Sequence, residues 1–315
     1  MIKFSICIPA YKSLYLSKCI ASILQQTVND FELIILNDCS PEPVEAIVQQ
    51  FEDNRIHYYK NEQNTGAVQL VKNWNKCLAL AKGEYIMIMG DDDELEPDYL
   101  QEFSRLTEQY PQIDVYHCRS KIINEQGETV MLTPACPEFE YVYDSIWHRL
   151  EQYRSNYISD FVYRTAALRL QGGFYELPLA WGSDDITAFL ATGTKGIAHT
   201  NKPVFRYRSN ALSITSSGSD GFKMEANQAY ARWLHDYLQK VPNNEEQAIV
   251  RAYLQRTQQK LMSKRKRFTL TLSMRQHRFK KAWFWLKHRS KYQLSLSDIL
   301  ISALKSVNLK NSSKF

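Results

Sequence analysis

The chain has 315 residues, 44% hydrophobic and 23% charged, which suits one large domain with an appendage, or two domains. No run approaches the roughly 18 apolar residues of a membrane span, and Met1-Ile2-Lys3 leads straight into an apolar strand, so neither a span nor a leader is expected. The net charge of +5 hides an asymmetry: residues 260–291 hold twelve Lys or Arg and no acid, leaving 27 basic against 34 acidic residues elsewhere. The six cysteines show no CxxC and no zinc-type spacing, so buried free thiols in a reduced, cytoplasmic compartment are expected.

Taken in order, Phe4–Pro9 reads as a buried first strand stopped by the proline. Leu16, Cys19, Ile20, Ile23 and Leu24 then fall at helical spacing. Phe31–Leu36 is a second strand, broken by Asn37-Asp38-Cys39-Ser40-Pro41, and Val44, Ile47, Val48 and Phe51 form a helical stripe. Arg55–Tyr59 is a third strand. A turn at Asn64-Thr65-Gly66 leads into a helix through Ala81, and Tyr85–Met89 is the fourth strand. This alternation predicts an α/β fold, a mostly parallel sheet with helices on both faces.

Beyond Pro97 the pattern predicts a helix to about residue 110 and a strand at Asp114–Cys118. Strand-and-loop material follows over 121–143, and a helix over Asp144–Arg154. Phe161–Leu170 mixes strand and helix signals. Asp184–Thr192 reads as a helix, and Gly196–Thr200 and Val204–Tyr207 as two strands. Long polar helices begin near Phe222, which divides the chain into 1–220 and a helical basic extension, 221–315. The first part splits into a nucleotide-binding half, about 1–100, and an acceptor half, about 101–220.

Three loops are expected at the C-terminal edge of the sheet: Pro9-Ala10-Tyr11-Lys12, Asp38, and Asp91-Asp92-Asp93. Adjacent carboxylates repel, and hard oxygen ligands suit Mg²⁺ or Mn²⁺ shared with a substrate phosphate. Gly66 is the first glycine, so a P-loop and a dinucleotide fingerprint are both excluded. A diphosphate would then depend on the metal and on side chains such as Lys72. Asp184 and Asp185, near a helix start, suit one base and one hydrogen-bonding partner. Arg206 and Arg208, two apart on a strand, share a side and could meet an acceptor, as could Trp181. His199, alone on its strand, reads as structural.

These motifs together resemble the inverting family-two nucleotide-sugar glycosyltransferases of the GT-A fold. Ile6-Cys7-Ile8-Pro9-Ala10-Tyr11-Lys12 resembles the family's opening V-I-I-P-x-Y-N, and Leu36–Ser40 its V-D-D-G-S loop. Asn61–Gly66 resembles N-x-x-N-x-G, with Lys72-Asn73 in the place of the Arg-Asn that follows. Gly90–Pro97 resembles D-x-D-D-x-L-x-P. Gly172-Gly173-Phe174 with Ser183-Asp184-Asp185 resembles the G-G-F and Glu-Asp motif. The resemblance spans about residues 4–215.

It implies a UDP-sugar donor, with Pro9, Ala10, Tyr11, Asp38, Asn64, Gly66, Lys72, Asp91 and Asp92 at the nucleotide and Asp38 on uracil. It implies a divalent metal, Mn²⁺ or Mg²⁺, at Asp92 and Asp93. The base falls on the acidic pair, and Asp185 is favoured over Asp184 because Phe189 then sits four residues beyond it. Departures are Gly90 for the first Asp, Cys39 for the loop glycine, and Asp184 for the Glu. The acceptor is expected to be a glycan, lipid-linked, in bacterial surface polysaccharide synthesis.

The cations of 260–291 are interleaved with Phe279, Trp283, Phe284 and Trp285, which fits an anionic membrane surface at the inner face of the cytoplasmic membrane and not nucleic acid. The rival enzyme reading is a metal-dependent sugar nucleotidyltransferase, although residues 9–20 lack the glycine such a loop needs. The non-enzyme rival is an inactive scaffold on the same fold.

Overall fold

The computed structural model describes residues 2–210, 218–242, 244–275 and 277–312. Two compact units emerge: Met1–Glu176 with Ser183–Asn210, and Leu177–Gly182 with the chain from Ala211 on.

In the first unit the alternation of the strands decides the layering. Strand β1 (Phe4–Ala10) and strand β2 (Phe31–Asn37) pair in parallel, Phe4 with Phe31 through Ala10 with Asn37. Phe4, Ile6, Ile8 and Ala10, with Phe31, Leu33 and Ile35, enter one apolar core. Period-two side-chain direction sends the intervening residues to the other face. The first core is closed by helices α1 (Leu16–Leu24), α2 (Val44–Val48) and α4 (Tyr99–Gln109) through Leu16, Cys19, Ile20, Val44, Tyr99 and Phe103. Helix α3 (Leu70–Leu80) buries Val71, Trp74, Cys77 and Leu78 outside that cluster.

Strand β3 (Ile56–Lys60) extends the sheet beyond β2, and β4 (Tyr85–Ile88) lies on the far side of β1, all parallel. Next come β9 (Phe161–Arg164), β6 (Val115–Ile123) and β10 (Ile197–Arg208), with the short β5 (Glu94–Leu95) at the end of the row. Strand β7 (Thr129–Leu132) pairs with β6, and β8 (Phe139–Glu140) with β10. Ladders of four or more registered residues are all parallel; the antiparallel ones, including β9 between β4 and β6, are shorter. Helices α5 (Val142–Leu150), α6 (Thr165–Leu170) and α7 (Ser183–Thr192) complete the unit.

Three differences from the sequence reading have physical causes. Pro9 does not end β1. Phe4 N–H and Ala10 C=O bond toward the β2 side, whereas Cys7 C=O accepts from Met89 N–H on the β4 side. Pro9 therefore faces β4, past the last registered pair, Cys7 with Ile88, where its missing N–H costs no ladder bond. Residues 197–208 form one strand and not two, because β10 stays on β6 through register shifts around Pro203. The α5 helix runs over Val142–Leu150 instead of 144–154, and Gln152 beyond it has φ +67°.

The second unit contains α8 (Asp220–Tyr237), α9 (Glu245–Ser273), α10 (Arg278–Lys287) and α11 (Leu296–Ser312). Asn244 caps α9, accepting from Gln247 N–H at 3.1 Å. Met224, Leu270, Met274, Trp285, Tyr292, Leu294 and Ile299 form its core. Trp285 Nε1 donates to Ser273 Oγ at 3.0 Å, and Ser273 Oγ donates to Asp220 at 2.7 Å.

One close approach supports a prediction. Ser5 and Glu32 are buried polar neighbours, Ser5 Oγ donating to Glu32 at 2.6 Å and accepting from Gly83 N–H at 2.8 Å. A Cβ on Gly83 would lie 2.6 Å from Ser5 N and 2.7 Å from the Phe4 carbonyl carbon. Gly83→Ala must therefore displace the backbone of β1, with an expected loss of about 1–3 kcal/mol in urea unfolding. A change below about 0.5 kcal/mol would show that β1 and the 81–84 turn are not packed this tightly.

Candidate active site

The loops after β1, β2 and β4 meet, and their own hydrogen bonds bring them together. Asp91 Oδ2 accepts the N–H groups of Tyr11 at 2.8 Å and Lys12 at 2.7 Å. Ser40 Oγ donates to Tyr11 C=O, and Asp38 N–H to Ala10 C=O at 2.9 Å. Cys39, where the family pattern has glycine, sits at φ +49°. That left-handed conformation is the one glycine adopts without strain.

Asp38 is buried under the loop that follows β3. Its carboxylate accepts from Asn61 Nδ2 and Thr65 N–H, both at 2.8 Å, and from Gly66 N–H at 3.4 Å. Asn64 Nδ2 donates to its C=O at 2.9 Å. Burial raises the Asp38 pKa, but the Thr65 N–H and the Asn61 and Asn73 amides outweigh it and hold the carboxyl below its usual range. Asn64 and Gly66 thus brace Asp38, and Gly66 adopts φ +78° to do so. Lys72 is exposed on α3, while Asn73 beside it is buried and accepts from Asn61 and Thr65. Tyr11 is 42% exposed, an aromatic ring open to a ligand.

The three acidic residues have three different settings. Asp93 is buried, and its Oδ1 accepts Arg208 N–H at 2.8 Å. Asp92 is partly exposed and accepts from Asn210 Nδ2 at 2.6 Å. Burial, then the Asp92 charge, pushes Asp91 up to about 6, against the pull of the Lys12 and Tyr11 N–H groups. The same two causes raise Asp93 well above the carboxylate range, against Arg208. Such a cluster is short of positive charge. Its donors are all oxygen, which fits Mg²⁺ or Mn²⁺, and the partly exposed Asp92 is better placed to hold one than the inward-braced Asp93.

Arg206 and Arg208 share a side as their spacing predicts, and that side is covered at Arg208. Arg208 is 1% exposed. Its Nε donates to Asp92 C=O, Nη1 to the C=O groups of Asn124 and Glu125, and Nη2 to Glu94. Arg206 Nη2 donates to Gly127 C=O at 2.7 Å, and its guanidinium pairs with Glu94 and Glu96. For Arg208 the expectation of an acceptor contact is corrected, since the turn at 124–127 lies over it and its donors brace the acidic loop; the Arg206 side chain stays 26% exposed. Trp181 belongs to the second unit, stacked on Phe268 at 6.3 Å with Lys223 over its ring.

Asp184 and Asp185 open α7. Asp184 is partly exposed, and Asp185 is fully buried. Asp185 Oδ1 accepts from Arg149 Nε at 2.6 Å and Asn156 Nδ2 at 3.1 Å. Three residues beyond Asn156, Ser159 Oγ accepts Gly90 N–H at 3.2 Å. Segment 156–159 therefore ties the acidic pair to the start of the Asp91–Asp93 loop. The Gly172-Gly173-Phe174 turn is anchored on α3, Phe174 N–H donating to Asn75 Oδ1 at 2.8 Å. Arg149, Asn156, Ser159 and Asn210 escaped the sequence reading. Nothing in their local pattern marks them, because each acts on a partner at least 29 residues away.

Known proteins are similar to this chain in sequence and in fold. The Haemophilus influenzae protein described as an uncharacterized glycosyltransferase is 31% identical over 137 residues, 42% of this chain and 45% of its own length. WcaA of Escherichia coli K12, a candidate colanic acid biosynthesis glycosyl transferase, is 32% identical over 38% of this chain and 44% of its own length. The chain thus spans less than half the length of these relatives. The crystal structure of Staphylococcus aureus TarS 1–349 in complex with UDP-GlcNAc superposes with a TM-score of 0.63 at 16% identity, covering 98% of this chain and 92% of that one. A mannosyltransferase from Pyrobaculum calidifontis in complex with GDP-Man and Mn²⁺ gives 0.54 at 13% identity, covering 99% and 88%. Both likenesses establish the fold. The sequence profile described as glycosyl transferase family 2 matches residues 5–177, more than half of the chain, and the chain belongs to that family.

Proposed function

We propose that this protein transfers a sugar from a UDP-sugar to a glycan acceptor with inversion at the anomeric carbon, in bacterial surface polysaccharide synthesis. The observation that carries the reading is the junction of the Tyr11, Asp38 and Asp91–Asp93 loops with the Asp184–Asp185 pair through segment 156–159. The TarS structure with UDP-GlcNAc supports the donor class. Tyr11 offers an exposed ring for a base to stack on, and the braced Asp38 offers a carboxylate that accepts uracil N3–H.

A divalent metal held by Asp92 would neutralise the donor's diphosphate as it leaves. Asp185 is the base in this reading. It takes the proton of the acceptor hydroxyl while that oxygen bonds to C1 and the C1–diphosphate bond breaks. Arg149 and Asn156 fix one of its oxygens, which is the positioning a general base needs. Asp184, nearer solvent, holds the acceptor.

The extension supplies membrane contact in this proposal. No helix among the described residues is long and apolar enough to cross a membrane. On α10, Phe279, Trp283 and Leu286 are 81%, 65% and 41% exposed. On α11, Leu296, Leu300 and Leu304 are 51%, 62% and 73% exposed at a spacing of four. Exposed apolar stripes among lysines and arginines suit an anionic interface and a lipid-linked acceptor. The cations divide, however. Arg265 donates to Asn227 and Trp181 C=O, Lys281 pairs with Asp220, and Arg267 faces Asp298 at 3.7 Å, so these serve the unit's own packing.

Three measurements test the reading. UDP binding by calorimetry should need Mn²⁺ and weaken at least tenfold in EDTA; equal affinity in both would remove the metal from the mechanism. Asp185→Asn should lower kcat by about 10²–10⁴-fold with UDP-sugar affinity near wild type, whereas Asp184→Asn should mainly raise the acceptor KM. Exchanged effects would move the base to Asp184, and a loss under tenfold in both would place it elsewhere. Phe279→Ser with Trp283→Ser should reduce sedimentation with anionic liposomes while leaving donor hydrolysis intact. Unchanged sedimentation, or sedimentation equally strong on neutral lipid at high salt, would count against the interface.

A further inference from the structure

Among the described residues, one cluster of three side chains has the make-up of a soft-metal site, and it lies apart from the acidic loop. It consists of His117 on β6, His199 on β10 and Cys136 in the crossing between β7 and β8. His199 and His117 are register partners, with their Nδ1 atoms 3.1 Å apart. One nitrogen of each imidazole and the Cys136 sulfur lie within 4.8 Å of one another. Cys136 is at most 8% exposed and the two histidines 3%. Asn201 fixes the cysteine backbone, accepting its N–H and donating to its C=O, both at 2.9 Å.

The surroundings point the same way. Behind His117, Asp160 Oδ2 lies 3.5 Å from Nε2; behind His199, Glu140 Oε1 lies 3.2 Å from Nε2. Each carboxylate stands within ion-pair distance of an Nε2 that has no hydrogen-bond partner, the side from which a carboxylate can orient a ligating histidine. Two buried carboxyl groups, Asp160 and Glu140, flank the cluster, and the buried Arg154 pairs with Glu140. His148, partly exposed, faces the second Glu140 oxygen at 3.2 Å.

We propose that His117, Cys136 and His199 bind one zinc ion. Two imidazoles and a thiolate form a set that selects zinc over the hard cations of an all-oxygen site. Zn–N bonds of about 2.0–2.1 Å in a tetrahedron separate two nitrogens by about 3.3 Å. The observed 3.1 Å is already close to that spacing. A water would complete the coordination. The ion pins the 133–140 crossing to β6 and β10. It also steadies Arg154, whose C=O accepts Arg149 Nη1 at 3.3 Å, one step from Asp185. The rival state is metal-free, with the Cys136 thiolate neutralised by Arg154 and a protonated His117.

The test uses the full chain expressed with zinc, desalted, and analysed by elemental mass spectrometry. About one zinc per chain is expected, falling at least fivefold in Cys136→Ser and staying unchanged in Asp92→Asn. Exchange for Co²⁺ should give a thiolate-to-cobalt charge-transfer band in wild type, which an oxygen-only site cannot produce. This readout needs no variant to fold. Zinc should also slow alkylation of Cys136 by iodoacetamide, with a chelator restoring it. A wild-type protein without the cobalt–thiolate band, equal zinc in wild type and Cys136→Ser, or alkylation indifferent to zinc would each overturn the site and leave the ion pair in its place.

Discussion

Three carboxylates in succession repel one another, so their loop must be held by its backbone, and this fold sets an arginine behind it. The buried Arg208 guanidinium touches the Asp92 carbonyl, two carbonyls of the 124–127 turn and the Glu94 carboxylate, while its own N–H holds Asp93. A planar fork with five donors can serve four separate oxygens; a lysine ammonium, with three donors at one point, cannot span them. Tyr15 lies against the guanidinium at 4.3 Å, so the charge is also stacked. With the rear of the loop fixed, Asp91 is free to organise its front, collecting the Tyr11 and Lys12 N–H groups. The site's geometry follows from this division of labour between back and front.

The second unit repeats the principle on a smaller scale. One partly exposed acid, Asp220, accepts from Ser273 and Lys281, and Ser273 in turn accepts from Trp285 Nε1. Part of the basic segment is thereby turned inward, and the exposed aromatic and leucine stripes remain on the outside of α10 and α11. Composition revealed the surplus of cations there; which ones face inward depends on partners in α8 and α11.

The first four strands and their helices were legible because alternation and helical spacing are local signals. Phe4, Ile6 and Ile8 announce a buried face within five residues. The loops were legible because turn chemistry and acidic runs are also local. Arg208 was misread for the converse reason: spacing shows that Arg206 and Arg208 share a side, but the 124–127 turn that covers it lies some 80 residues earlier. His199 read as a lone structural histidine because its register partner stands 82 positions away and Cys136 carries no motif. Asp185 was visible as one of an acidic pair, while Arg149 and Asn156, which hold it, come from another helix and its following loop.

Strand β10 joins two of these regions. Between the shared pairs His199–His117 and Arg208–Ile123, β10 runs nine residues while β6 runs six. The three surplus residues, accommodated around Pro203, are an odd number. In a structure of period two, an odd insertion inverts the phase of everything beyond it. Counted along a regular strand, His199 and Arg208 would face opposite sides of the sheet; the bulge returns them to the same one. The irregularity is therefore a phase corrector. It allows one strand to present an imidazole at its beginning and a guanidinium at its end to the same side, and it makes the length of the 200–205 stretch, more than its composition, what decides the side that Arg208 faces.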